Sequence, residues 1–114
     1  MSLDDWQEQL RRGTLELAVL LAVAPAARYG LEIIRHLEFA DLVLAEGTVY
    51  PLLARLEREG LLQAKWVEGE GPRPRKYYQL TPAGRSRMKK MSETFRALSG
   101  GMERMIENAI GRQS

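Results

Sequence analysis

A mainly α fold with one two-stranded β-hairpin and a long closing helix is the class this sequence predicts. Three observations carry the prediction. Apolar residues recur at spacings of three and four through the first sixty positions, interrupted by Gly, Pro and Thr punctuation. Leu62 to Glu68 and Arg75 to Leu80 then alternate with a period of two around the turn-rich "GEGPRP". After Thr81-Pro82 the chain is periodic again, and it holds a seven-residue apolar repeat.

The elements follow in order. Leu3, Trp6 and Leu10 predict a short amphipathic helix, which Gly13-Thr14 is expected to interrupt, with Thr14 as the N-cap of the next. That next helix, Leu15 to Ala24, is apolar nearly all round and belongs in the centre of the domain, with Pro25 stopping it. A third helix spans Tyr29 to Phe39, with an inward stripe of either Leu31, Ile34 and Leu37 or Ile33 and Leu37. After the loop "ADLVLAE" comes a helix over "GTVYPLLARLEREGLL", ended by Gly60. The hairpin places Leu62, Ala64 and Trp66 on one side, and Tyr78 with Leu80 on one face of its second strand. Thr81 as N-cap and Pro82 at the first helical position open the last helix.

At 114 residues the chain has the length of about one domain. It has no cysteine and one histidine, His36, which excludes a disulfide scaffold, thiolate chemistry and a multi-histidine metal site. There is no glycine-rich phosphate loop and no nucleophile–base pair, and Tyr29 and Tyr77 lack a paired base, so neither an enzyme nor a cofactor is expected. The apolar run in "LELAVLLAVAPAA" is only about ten residues, too short to span a bilayer. Asp4, Asp5 and Glu8 precede it and Glu16 interrupts it, so it reads as a core helix rather than a leader. A cysteine-free chain without a membrane segment is expected in the cytoplasm.

Charge is distributed unevenly. From Gly71 to Ser92 there is no acid, and Arg73, Arg75, Lys76, Arg85, Arg87, Lys89 and Lys90 all fall there. Such a cluster suggests a polyanionic partner. A helical core followed by a two-stranded hairpin is a winged helix-turn-helix arrangement, in which the helix before the hairpin meets the DNA major groove. In that helix Val49, Leu52, Leu53 and Leu56 form the predicted buried stripe. The opposite face is Gly47, Pro51, Ala54 and Arg58, flanked by Thr48, Tyr50 and Arg55. Small residues at its centre allow close approach, while Arg55, Arg58 and Thr48 can reach phosphates or base edges. Pro51 fits a first turn if the helix begins near Thr48, and removes one hydrogen bond if it begins nearer Glu46. The wing carries Arg73, Arg75 and Lys76 beside Pro72 and Pro74, which stiffen it for docking, while Glu68 and Glu70 hold its root off phosphate.

In the last helix Met88, Met91, Phe95, Leu98, Met102, Met105 and Ala109 step by alternating threes and fours. A partner chain is the natural cover for this seam, as in a symmetric dimer, with Leu3, Trp6 and Leu10 of the first helix joining the interface. Its methionine-rich character also suits an adaptable pocket for an apolar ligand, with Phe95, Met91 and Trp6 as the candidate effector site. Gly100-Gly101 inside the seam marks a bend or a close helix approach.

The segments "LRRGTLELAVLLAV", "RYGLEI", "LAEGTVYPLLARLEREGLL" and "GPRPRKYYQLTPAGR", with the terminal helix, resemble the PadR family of bacterial transcriptional regulators. The resemblance implies a homodimeric winged-helix repressor on a pseudo-palindromic operator. It places Thr48, Tyr50 and Pro51 in the major groove and Arg73, Arg75 and Lys76 on the wing. It also matches Phe95 to an aromatic that stacks planar ligands between subunits in multidrug-responsive relatives. Ala45 stands where the family commonly has an N-capping serine, and the wing has prolines where glycine and arginine are more usual. The single terminal helix is that of the short branch. The expected division is residues 1–80 as the DNA-binding domain and 81–114 as the dimerisation helix. An adaptor that uses the same fold to bind an acidic protein, without DNA, is the alternative.

Overall fold

The computed structural model describes residues 1–42, 46–69 and 71–111, with the backbone alone at residue 46. Its elements are α1 (Leu3–Val23), β1 (Arg28–Tyr29), α2 (Gly30–Phe39), α3 (Glu46–Arg58), β2 (Leu62–Val67), β3 (Arg75–Leu80) and α4 (Pro82–Ile110). The predicted mainly α class with a hairpin and a long last helix is the observed architecture, with a third strand added.

The expected break at Gly13-Thr14 does not occur, and α1 runs unbroken for 21 residues. Its N-terminus is fixed by a capping box, in which Asp5 N–H donates to Ser2 Oγ at 3.1 Å and Ser2 N–H donates to Asp5 Oδ2 at 3.4 Å. Thr14 is not an N-cap: its hydroxyl donates backwards to the carbonyls of Leu10 and Arg11 at 3.1 and 3.0 Å. One interior glycine costs about 1 kcal/mol, too little to split a helix capped at its front and buried along its second half. Beyond Pro25, Arg28 Nε donates to the Ala22 carbonyl at 2.7 Å and covers an open C-terminal acceptor.

Leu15, Val19, Leu20 and Val23 of α1 meet Ile33, Ile34 and Leu37 of α2, Val49, Leu53 and Leu56 of α3, and Leu61, Leu62 and Tyr78 of the hairpin in one core. Leu31 is exposed, so the buried face of α2 is Ile33, Ile34 and Leu37. In α3, Leu52 is only partly buried at the edge of the predicted stripe. The helix begins at Glu46 and contains Pro51, which cannot supply the N–H that the Gly47 carbonyl would otherwise accept. The predicted effect of Ala45 on the start of this helix lies outside the described residues.

Helix α3 ends in a paired-bond C-terminal motif. Leu61 N–H donates to the Leu56 carbonyl at 2.9 Å and Gly60 N–H to that of Glu57 at 3.1 Å, with Gly60 at φ 77°. The end of α2 repeats it: Leu42 N–H donates to Leu37 at 2.8 Å and Asp41 N–H to Glu38 at 3.0 Å, with Asp41 at φ 62°.

The sheet has the order β1-β3-β2, all antiparallel, with Leu62 opposite Leu80, Val67 opposite Arg75 and Tyr29 opposite Tyr77. Strand β1 has two residues, too few for alternation to reveal it. Trp66 lies on the same face as Leu62 but is 68 % exposed, because the hairpin runs out past the core. At the root, Thr81 caps α4, its hydroxyl accepting from Gly84 N–H at 3.0 Å and donating to the Gly60 carbonyl at 2.6 Å. Thr81 N–H donates to the Leu61 carbonyl at 3.2 Å. Gly84 lets α4 start this close, since a Cβ there would collide with the Leu61 carbonyl oxygen. Helix α4 continues through Gly100-Gly101 for 29 residues in all.

Candidate nucleic-acid interface

The outward face of α3 is the predicted one. Gly47, Pro51, Ala54 and Arg58 are exposed, so the centre of the face presents backbone and short side chains. Thr48 is half-buried, and Tyr50 is half-exposed with its ring laid on Gly30, the first residue of α2. Arg58 makes no ion pair with the described residues and projects from the last turn.

Arg55 is held elsewhere. Its Nη2 donates to Glu16 Oε1 of α1 at 2.9 Å, and its Nη1 to Glu59 Oε2 at 2.9 Å. Glu16, and after it Glu59, raises the Arg55 guanidinium above its ordinary value, so the charge is paired within the chain. The other Glu16 oxygen accepts from Arg87 Nη1 of α4 at 3.2 Å.

The wing also divides its cations. Arg73 is exposed at the tip and unpaired with the described residues. Arg75 is exposed and stacks over the Tyr29 ring at 4.5 Å, and Tyr29 meets Tyr77 edge to face at 5.4 Å. Lys76 turns to the opposite face, where its Nζ lies 3.0 Å from Glu57 of α3 and over the rings of Trp66 and Tyr78. Glu57 raises the Lys76 ammonium above the ordinary lysine value, against a smaller opposing effect of burial. The expected effect of Glu70 on the wing root falls outside the described residues. The basic run read along the chain is therefore not one patch. Arg73 and Arg75 sit on the wing, Lys76 points to α3, Arg87 points to α1, and Lys90 lines a cleft between α1 and α4.

The apolar seam also divides. Met88 and Met91 pack on the edge of the chain's own core and are partly buried there. Leu3, Trp6 and Leu10 of α1 and Phe95, Leu98, Met102 and Met105 of α4 are exposed. A cleft of about 330 Å³ between α1 and α4 is lined by Leu10, Leu17, Met91, Phe95 and Leu98. A second, of about 400 Å³, contains Trp6, Leu10, Asp41, Leu42 and Phe95. The three candidate effector residues thus lie in two clefts: Met91 in one, Trp6 in the other, and Phe95 in the wall of both.

Sequence reading missed Glu16, Glu57 and Gly30. The signal for Glu16 was present, as an acid set between buried Leu15 and Leu17 needs a partner, but the partners lie 39 and 71 positions away.

The family model described as the transcriptional regulator PadR-like family matches residues 19–90. The transcriptional regulator Rv3488 of Mycobacterium tuberculosis is 32 % identical over 106 residues, covering 93 % of this chain and 92 % of that protein. A PadR family transcriptional regulator from Eggerthella lenta superposes with a TM-score of 0.80 at 32 % identity, covering 92 % of each chain. A PadR-like transcription factor from Bacteroides fragilis gives 0.71 at 36 % identity, covering 89 % of this chain and 98 % of the other.

Proposed function

The chain belongs to the PadR-like family of transcriptional regulators, a DNA-binding family, and on that premise we propose that it is a homodimeric repressor of a two-fold operator. The observation that carries the reading is the pairing of two exposed surfaces. One is the α3 face of Gly47, Tyr50, Pro51, Ala54 and Arg58, edged by half-buried Thr48, and the other is the adjoining wing with Arg73 and Arg75. A helix face of short side chains can seat deeply in a major groove, and two outward arginines can follow the phosphates beside it. Arg55 and Lys76 stand behind this surface, engaged by Glu16, Glu59 and Glu57, and act by holding it in shape.

Two-fold assembly is supported by the apolar residues left outside on α1 and α4, Leu3, Trp6, Leu10, Leu98, Met102 and Met105. They are the candidate interface that a second copy would bury. An apolar or aromatic effector fits the clefts on either side of Phe95, where it would act on the spacing of α1 and α4. Among the described residues no helix is long and apolar enough to cross a membrane, and the cytoplasm is the proposed location.

The test is anisotropy titration against the duplex upstream of the chain's own gene and against random duplex, each at several salt concentrations. Binding should favour one upstream site and weaken steeply as salt rises, since each neutralised phosphate releases counterion. Absence of duplex binding at low salt would sink the reading and return the adaptor alternative.

A further inference from the structure

The recognition surface is useful to a dimer only if α3 is held at a fixed angle to α4, because α4 carries the proposed two-fold contact. Polar side chains tie the two helices together at two points. The first is a hinge: Thr81, at the start of α4, bonds to the Gly60 and Leu61 carbonyls at the end of α3 at 2.6 and 3.2 Å. A hinge fixes a position and leaves an angle. The second point is Arg87, about 9 Å further along α4 by helical rise. It reaches Glu16 Oε2 at 3.2 Å, while Arg55 of α3 reaches Glu16 Oε1 at 2.9 Å.

Glu16 suits a brace. Its side chain is only 18 % exposed, against 42 % and 48 % for the two arginines. Its backbone lies between buried Leu15 and Leu17 of the central helix. Each carboxylate oxygen takes a different helix, so rotation of α4 about the Thr81 hinge would break one bond or draw on the other. Apolar packing of Met88 and Met91 on the core gives α4 a preferred crossing angle within a scatter of about 15–20°. Charge-assisted bonds to a guanidinium are directional and narrow that range further.

The geometry points to Glu16 as a positioning residue that sets the angle between recognition helix and dimerisation helix, and so the half-site spacing that the dimer accepts. The inference rests on the proposed function. In a two-fold dimer any change of this angle is applied twice, once in each subunit, so spacing is its most sensitive readout. Neither Glu16 nor Arg87 belongs to the proposed DNA surface, which separates their effect from lost contacts.

The experiment uses the full chain. Wild type first selects an operator from random duplex, and its half-sites are then moved apart and together in single base pairs around the selected spacing. Wild type is expected to prefer one spacing by about tenfold over its neighbours, the range in which connected residues couple distant sites. Glu16→Gln, which keeps the side chain's size, and Arg87→Ala, on the exposed side of α4, should each reduce that preference to below about threefold. Both should leave the salt slope of binding to random duplex unchanged. Urea unfolding of each variant establishes that it is folded. Full spacing preference in either folded variant overturns the inference. So does a salt slope that falls by about one for Arg87→Ala, since Arg87 would then be a phosphate contact. A wild type that binds but accepts all spacings also overturns it, whereas a wild type that selects no paired half-sites overturns the operator reading itself.

Discussion

Tyr50 of α3 lies on Gly30 of α2 so closely that a Cβ built on Gly30 would stand 2.6 Å from Tyr50 Cε1 and 3.0 Å from its hydroxyl oxygen. The ring therefore braces the start of α2, and the two helices of the helix-turn-helix are joined beside the exposed face of α3. Gly30→Ala should force the ring aside. We expect a loss of about 1–2 kcal/mol in urea unfolding, typical of overpacking. The loss should vanish in a Tyr50→Ala background, where alanine at position 30 would instead favour the helix. An equal loss in both backgrounds would place the strain elsewhere.

Gly84 tests the junction of wing and α4. A Cβ there would meet the Leu61 backbone carbonyl, which cannot rotate away as a side chain can. Gly84→Ala should cost about 3 kcal/mol, the upper part of the overpacking range, despite alanine's better helix propensity. Thermal unfolding at one protein concentration is the measurement. A gain in stability would mean that α4 starts further from β2.

The C-terminal motifs of α2 and α3 share one hydrogen-bond pattern but place different residues in the left-handed position, Asp41 and Gly60. Non-glycine residues pay for that conformation with about 1 kcal/mol or more. Asp41→Gly should therefore stabilise by up to about 1 kcal/mol, and Gly60→Ala should destabilise by about the same amount. Chemical denaturation of the two variants checks both signs, and like signs would contradict the motif.

Lys76 and Glu57 tie the wing to α3 across 3.0 Å. Both side chains are about a third exposed, so their coupling in a double-mutant cycle should be no more than about 0.5 kcal/mol. The Lys76 value is raised by folding. Its contribution is thus complete below the ordinary 10.5 and is lost as pH climbs through the higher folded value. Stability differences between wild type and Lys76→Met should hold constant from neutral pH to about 9 and shrink above about 10.5. On random duplex, Lys76→Met should leave the salt slope unchanged, and Arg73→Ala should lower it by about one. A reversed pair of slopes would move Lys76 to the DNA surface.

Much of this site was legible along the chain because its signals are local. The stripe of Val49, Leu53 and Leu56 needs only helical periodicity, and its opposite face follows from the same geometry. Gly60 as a helix end and Thr81-Pro82 as a helix start depend on nearest neighbours. The misplaced break at Gly13-Thr14 shows the limit of such signals. Glycine and threonine lower the local preference for helix, but the Ser2–Asp5 cap and the apolar face of α1 outweigh them.

The sequence by itself determined which residues are apolar at which spacing, hence the helical segments, a hairpin, and the face that α3 turns outward. Tertiary structure decided which cations are free. Arg55, Arg58, Arg73 and Lys76 look alike in a list of basic residues. Only the fold brings Glu16 and Glu57 to two of them and leaves the other two in solvent. It likewise packed Met88 and Met91 partly against the chain's own core while leaving Phe95 and Leu98 outside. The reason is physical: periodicity acts through neighbours a turn apart, whereas an ion pair or a covered seam depends on residues that meet only once the chain has packed.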